Sequence, residues 1–137
     1  MTRKDAPVSI QRMCSALFGV AAGLLIGCNG PSPPDPSDPA AGRALLEKSL
    51  EAWKRGDTVD AFKQAEPSLT MIEWSWKKGG KLVNYEIQND PEHFGYDVRF
   101  KVKLTVQEPG GSAKQQKALY NVCTTPSLVV KRAEGGW

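Results

Sequence analysis

A chain of 137 residues, 40% hydrophobic and 24% charged, has room for one ordinary globular domain and not for two. Its net charge of +3 is uneven: Arg3, Lys4 and Arg12 lie in residues 1–27 with only Asp5 against them, which leaves the remainder at +1. A surplus that small does not hold a phosphate backbone, so a nucleic-acid partner is set aside.

Residues 1–12 are polar, and residues 13–27 (MCSALFGVAAGLLIG) carry no charge. This order is that of a secretory signal, a basic start followed by an apolar run. The run of 15 residues is shorter than the roughly 20 needed to span a bilayer. Leu25, Ile26, Gly27 and Cys28 then follow, and these four resemble the lipobox of bacterial lipoproteins. The resemblance implies that Leu25, Ile26 and Gly27 form the cleavage signal, that residues 1–27 are removed, and that the Cys28 thiol carries a diacylglyceryl thioether. A second acylation on the freed amino group would make the anchor far firmer than a single chain. The residue after the cysteine is Asn29 rather than Asp, which in that family leaves outer-membrane sorting open, so the expected location is the cell envelope, on the periplasmic side of the outer membrane. An ordinary signal peptide with Cys28 incidental, and an uncleaved signal anchor, are the competing readings.

Residues 28–41 then form the lipidated cysteine and a spacer with Pro at 31, 33, 34, 36 and 39. Such chain runs extended at about 3.1 Å per residue, so 13 residues reach up to roughly 40 Å. A ligand for proline-binding domains is the weaker alternative. The globular part is expected at 42–137. Cys14 leaves with the signal and Cys28 is acylated, so Cys123 has no intramolecular partner and is expected to be buried.

Within the domain, Leu45, Leu46, Leu50 and Trp53 recur at helical spacing over 42–56, with Lys54 and Arg55 in the last turn and Gly56 as the stop. Asp57 or Thr58 caps a short second helix that ends before Pro67. Residues 69–76 (LTMIEWSW) fit a short strand or an irregular turn, and Gly79-Gly80 breaks the chain. Val83, Tyr85 and Ile87 alternate with polar residues over 81–89, and Asn89-Asp90-Pro91 ends that strand. The clearest pattern is Tyr96, Val98, Phe100, Val102, Leu104 and Val106 against Asp97, Arg99, Lys101, Lys103, Thr105 and Gln107, a long strand with one wet face. A hairpin connection at 108–112 leads to two further strands at 117–124 and 127–132.

The expected fold class is α+β: an N-terminal helix and a short second helix packed on a four-stranded antiparallel meander. The segment Trp53-Lys54-Arg55-Gly56-Asp57 after Leu50, with helix first and long strands after, resembles the cystatin-like and nuclear-transport-factor-like superfamily. That resemblance implies a helix lying across a curved sheet and, in the enzyme members, an Asp or Glu base beside a Tyr or Trp donor. Asp97, Glu86, Tyr85, Tyr96 and Tyr120 are the available types, but alternation puts Asp97 and Tyr96 on opposite faces, so no catalytic residue is assigned.

His93, the single histidine, sits in a polar stretch and reads as a solvated side chain. With no paired Cys or His spacing, no metal and no cofactor are expected. Two surfaces remain as candidates. Arg99, Lys101 and Lys103 form a basic stripe for anionic headgroups, an acidic polysaccharide or a protein, with an ordinary solvated face, Asp97 paired into it, as the plainer reading. Trp74 and Trp76 form an aromatic platform for a glycan or protein partner if both face out, with packing against Trp53 as the stronger reading. The expected function is a membrane-anchored, non-catalytic binding or interaction module. A small enzyme or an apolar-ligand carrier with a helix-sheet pocket is the alternative.

Overall fold

The computed structural model describes residues 30–137. The leader expected at 1–27, the cleavage signal expected at Leu25, Ile26 and Gly27, and the lipidation expected at Cys28 all fall outside the described residues. The first helix, α1 (Pro39–Arg55), starts earlier than the leucine spacing predicts. Pro39 stands at its first turn, where a fixed φ suits the helix and no amide donor is missed, and the Asp38 carboxylate caps it by accepting from the Ala41 N–H at 2.7 Å. Gly56 ends it with φ 88°, a conformation glycine adopts without a Cβ clash.

The segment before α1 is tied down as well. Buried Ser37 donates its N–H to the Tyr96 carbonyl at 2.8 Å, and its Oγ accepts the Thr124 N–H at 2.9 Å. Thr125 Oγ1 donates to the Asp35 carbonyl at 2.7 Å. Residues 35–41 therefore fold with the domain, although their composition is that of a spacer. Ser37→Ala leaves the Thr124 N–H without its acceptor; we expect a loss of about 1–3 kcal/mol in urea unfolding, and faster exchange of the Thr124 amide.

After α1 the chain passes through a 3-10 turn (Val59–Gln64), β1 (Leu69–Ile72), the one-turn helix α2 (Trp74–Lys77), β2 (Lys81–Ile87), β3 (Glu92–Phe94), β4 (Asp97–Gln107), β5 (Ala113–Cys123) and β6 (Leu128–Arg132). The strands form a mixed six-stranded sheet in the order β1-β6-β5-β4-β2, with β3 also on β4, curled into a half-barrel. This corrects the four-stranded antiparallel meander: β1 pairs parallel to β6, Leu69 against Leu128 through Ile72 against Lys131. The reversal has a simple cause. The segment after Gly56 carries the chain back to the end of the sheet where α1 began, so β1 sets out in the same sense as β6.

Two further differences follow from local geometry. The stretch at 92–94, expected as loop, pairs with the start of β4 through a two-residue turn, Gly95-Tyr96, in which Gly95 takes φ 64°. Tyr96 therefore lies in the turn and is 49% exposed instead of opening the inward face of β4. In β2 a bulge between Leu82 and Asn84 skips Val83, so Leu82 faces Val106 inside while Val83 is left exposed.

The β4 alternation holds from Val98 to Val106, and across the ladder Phe100 meets Tyr120 and Val102 meets Ala118, all buried. α1 lays Leu46, Leu50 and Trp53 on this face and touches β2, β4, β5 and β6. Gly42 lies against this face, where a Cβ would meet the Phe100 ring at 3.4 Å, ordinary contact distance. Among the described residues no helix is long and apolar enough to cross a membrane.

Candidate functional site

The C-terminal end of α1 builds one wall of an open groove. Gly56 donates its N–H to the Trp53 carbonyl and Asp57 to the Ala52 carbonyl, each at 3.0 Å, which turns the chain sharply and points the Asp57 carbonyl outward. Trp76 Nε1 donates to that carbonyl at 2.9 Å. The Trp76 indole then stacks on Trp53, centroids 5.7 Å apart and planes at 11°, and meets Phe62 edge-on at 5.9 Å. Trp53 Nε1 donates to the Gly80 carbonyl at 2.7 Å. The tryptophan, glycine and aspartate of the Trp53 to Asp57 segment thus have separate structural tasks: one packs, one stops the helix, one offers a backbone acceptor.

Beside this stack lies an open groove of about 470 Å³, lined by Trp53, Trp76, Asp57, Lys77, Gly80 and Lys81 among others. Its rim is charged unevenly. Lys63 pairs with Asp60 at 2.8 Å and holds that carboxyl below the usual carboxylate range; Arg55 pairs with Asp57 at 2.8 Å. Lys77 and Lys81 have no carboxylate within ion-pair distance among the described residues, and Lys77 Nζ sits 5.8 Å from the centroid of the Trp74 ring. The groove floor depends on Gly80, where a Cβ would stand 2.7 Å from the Ser75 carbonyl oxygen. Gly80→Ala must move backbone, and we expect a cost of about 1–3 kcal/mol in chemical denaturation, with weaker quenching between the Trp53 and Trp76 indoles.

A second polar cluster lies inside. Glu73, with its side chain fully buried, follows β1 and caps α2 by accepting the Ser75 N–H at 3.0 Å. The Tyr120 hydroxyl donates to the same carboxylate, and Arg132 Nη1 donates to it at 3.0 Å. Arg132 Nη2 reaches Gln116 Oε1 at 2.8 Å. No buried side-chain nitrogen or oxygen among the described residues lacks a partner. Burial above all, then the adjacent Glu73 carboxylate, holds the Tyr120 phenol well above its ordinary value. Neither the Trp53 groove nor a shallower one at the other end of α1 is lined by Glu73 or Tyr120. The carboxylate-tyrosine pair that the enzyme alternative needs is therefore present, but it is closed and satisfied.

Of the residues singled out from sequence, Trp74 is 56% exposed, whereas Trp76 is buried on Trp53. They lie on one helical turn, two positions apart, which turns them to different sides, so the structure does not bring them together as one platform. The basic stripe meets local partners. Arg99 donates to Asn121 at 2.9 Å and lies 3.6 Å from the Phe94 ring centroid, Lys101 bridges Asp90 and Glu92 at 2.9 Å each, and Lys103 is 3.5 Å from Glu86. Lys101 and Lys103 pair with those carboxylates and not with Asp97. His93 is exposed on β3, and Cys123 is only partly buried, its thiol donating to the Thr125 carbonyl at 3.0 Å. No cluster of three metal-ligating side chains occurs among the described residues.

Glu73 escaped the sequence reading. Its signal was a lone charge in the apolar run LTMIEWSW. Compared with protein-family profiles, curated proteins and solved structures, the chain finds no match.

Proposed function

We propose that the protein is a lipid-anchored binding module of the bacterial cell envelope, with the groove beside Trp53 and Trp76 as its contact surface. One observation carries this reading: the side chains suited to catalysis, Glu73, Tyr120 and Arg132, are bonded through one carboxylate inside, while Lys77 and Lys81 line an open groove against the Trp53-Trp76 stack. Two lysines without carboxylate partners among the described residues, Lys77 also lying beside the exposed Trp74 indole, suit a partner that offers acidic groups next to flat or apolar surface. The anchor is the acylated Cys28 that its lipobox-like neighbours call for. α1, 17 residues long, sets the groove about 25 Å from the end where the chain enters the domain. Such spacing keeps the groove clear of the membrane that holds the protein.

Intact mass of the protein from the membrane fraction tests the anchor. We expect residues 28–137 plus two or three acyl chains, and release to the soluble fraction on Cys28→Ala; unchanged membrane retention of that variant defeats the reading. Zero-length carbodiimide coupling in intact membranes tests the groove, since it joins lysine to a partner carboxylate. The coupled product should fall several-fold in Lys77→Ala/Lys81→Ala and persist in Lys103→Ala.

A further inference from the structure

We propose that the β3-β4 turn, Phe94-Gly95-Tyr96, is a second membrane contact, seated in the interfacial layer of a zwitterionic bilayer while Cys28 holds the chain by its acyl groups. The proposal rests on the lipid-anchored reading and adds an orientation to it.

The first argument is chain length. The chain is tied to the domain from Asp35 onward, through the Thr125 hydroxyl and then through Ser37, whose N–H bonds the carbonyl of Tyr96 itself. From Cys28 to Asp35 is seven residues, which in proline-rich extended chain is about 22 Å. A spacer of that length, entering beside Tyr96, keeps this end of the domain near the headgroups and the Trp53 groove away from them.

The second argument is the chemistry of the turn. Phe94 is 51% and Tyr96 49% exposed, on either side of Gly95 in a tight hairpin whose backbone is held by pairing to β4. A phenol next to a phenyl ring is the combination that settles at a membrane interface, where one part meets acyl chains and the hydroxyl meets headgroups and water. The same end of the domain carries the shallow apolar groove, about 450 Å³, lined by Ala41, Leu45 and Leu128.

The third argument is charge. Asp35, Asp38 and Asp97 lie around this end, Asp90 and Glu92 share the one ammonium of Lys101, Arg99 covers a face of Phe94, and Lys48 at the shallow groove leaves the carboxylates in excess. An acidic surround is repelled by anionic headgroups, so the surface that fits is zwitterionic.

The test is photo-crosslinking in the full chain expressed with its leader. Phe94→p-benzoylphenylalanine and, as the remote control, Trp74→p-benzoylphenylalanine are reconstituted into phosphatidylethanolamine/phosphatidylcholine vesicles, irradiated, and weighed intact. We expect the acylated mature mass plus one phospholipid for position 94, at a yield at least tenfold above position 74. An acylated protein with no phospholipid adduct at 94, or with equal yields at 94 and 74, overturns the membrane contact and leaves the anchor standing. A mass without acyl groups overturns both, because the length argument starts at acylated Cys28. A higher yield in phosphatidylglycerol vesicles overturns the choice of a zwitterionic surface.

Discussion

Glu73→Ala will lower the free energy of unfolding by about 3–5 kcal/mol, the range for removing one partner of a buried ion pair. The carboxylate accepts from Tyr120, Arg132 and the Ser75 N–H at once, so its loss strands a buried phenol, a guanidinium with 18% side-chain exposure and the first turn of α2. Urea unfolding at neutral pH, followed by far-ultraviolet circular dichroism, reads it directly; a change under 1 kcal/mol would mean the cluster is not closed as described. Tyr120→Phe keeps the Glu73-Arg132 pair and should cost about 1–2 kcal/mol.

The same cluster sets an alkaline limit. A phenol in the unfolded chain titrates near pH 10, whereas Tyr120 in the folded domain holds its proton well above that, through burial first and the Glu73 charge second. Above about pH 10 the folded state therefore binds more protons than the unfolded one, and stability falls as pH rises. Tyr85, pushed up to about 12 by partial burial and by its hydrogen bond to Glu51, adds a slope of the same sign. The contribution of Tyr120 is read as a difference: between pH 9 and pH 11 the unfolding free energy of Tyr120→Phe should decline less steeply than that of the parent.

Trp53→Ala is the second large effect, about 3–5 kcal/mol, as for other buried tryptophans truncated to alanine. Three losses coincide: the side chain is 2% exposed in the core, it carries the stacked Trp76, and it donates to the Gly80 carbonyl that fixes the start of β2. Trp53→Phe keeps a ring against Trp76 and gives up the hydrogen bond, so it should retain half or more of the lost stability. Thermal melts of both variants separate packing from the hydrogen bond. The groove should lose its wall in the alanine variant, which coupling through Lys77 and Lys81 would report.

Much of this architecture can be read from local pattern. The Leu46, Leu50 and Trp53 stripe, the Gly56 stop and the alternation through Val106 each follow from a period of 3.6 or 2 and a terminating residue, and the structure reproduces them. What the pattern does not carry is pairing between distant segments. The Leu69 to Ile72 strand is only four residues long, and nothing within it shows that its partner is β6 or that the two run parallel. The Val83 alternation holds at Tyr85 and Ile87 and fails at Val83 itself, because the bulge drops that residue from the register and gives its inward place to Leu82. At Tyr96 the two-residue turn takes over a position that the inward pattern claims. Glu73 is the hardest case: its charge partner, Arg132, is 59 residues away, so a lone carboxylate in an apolar run marks a buried charge without naming what neutralises it. The groove is half legible, since Trp76 packing on Trp53 is the stronger of two readings, while the place of Lys77 and Lys81 beside that stack depends on the turn after α2, which brings Gly80 under Trp53.

The place of β6 has a consequence for how the chain reaches this state. Drawn from residues 128–132, it lies inside the sheet, between β1 and β5, and brings Val130 to the core and Arg132 to Glu73. During synthesis, β1 must wait beside an empty seat, with Leu69 and Met71 uncovered, until residues 128–132 have left the ribosome. Closure that depends on contacts so far apart along the chain is slow and cooperative. A nonsense codon between Glu73 and Leu128 would therefore yield a product with an unpaired strand and a stranded carboxylate, fit for proteolysis.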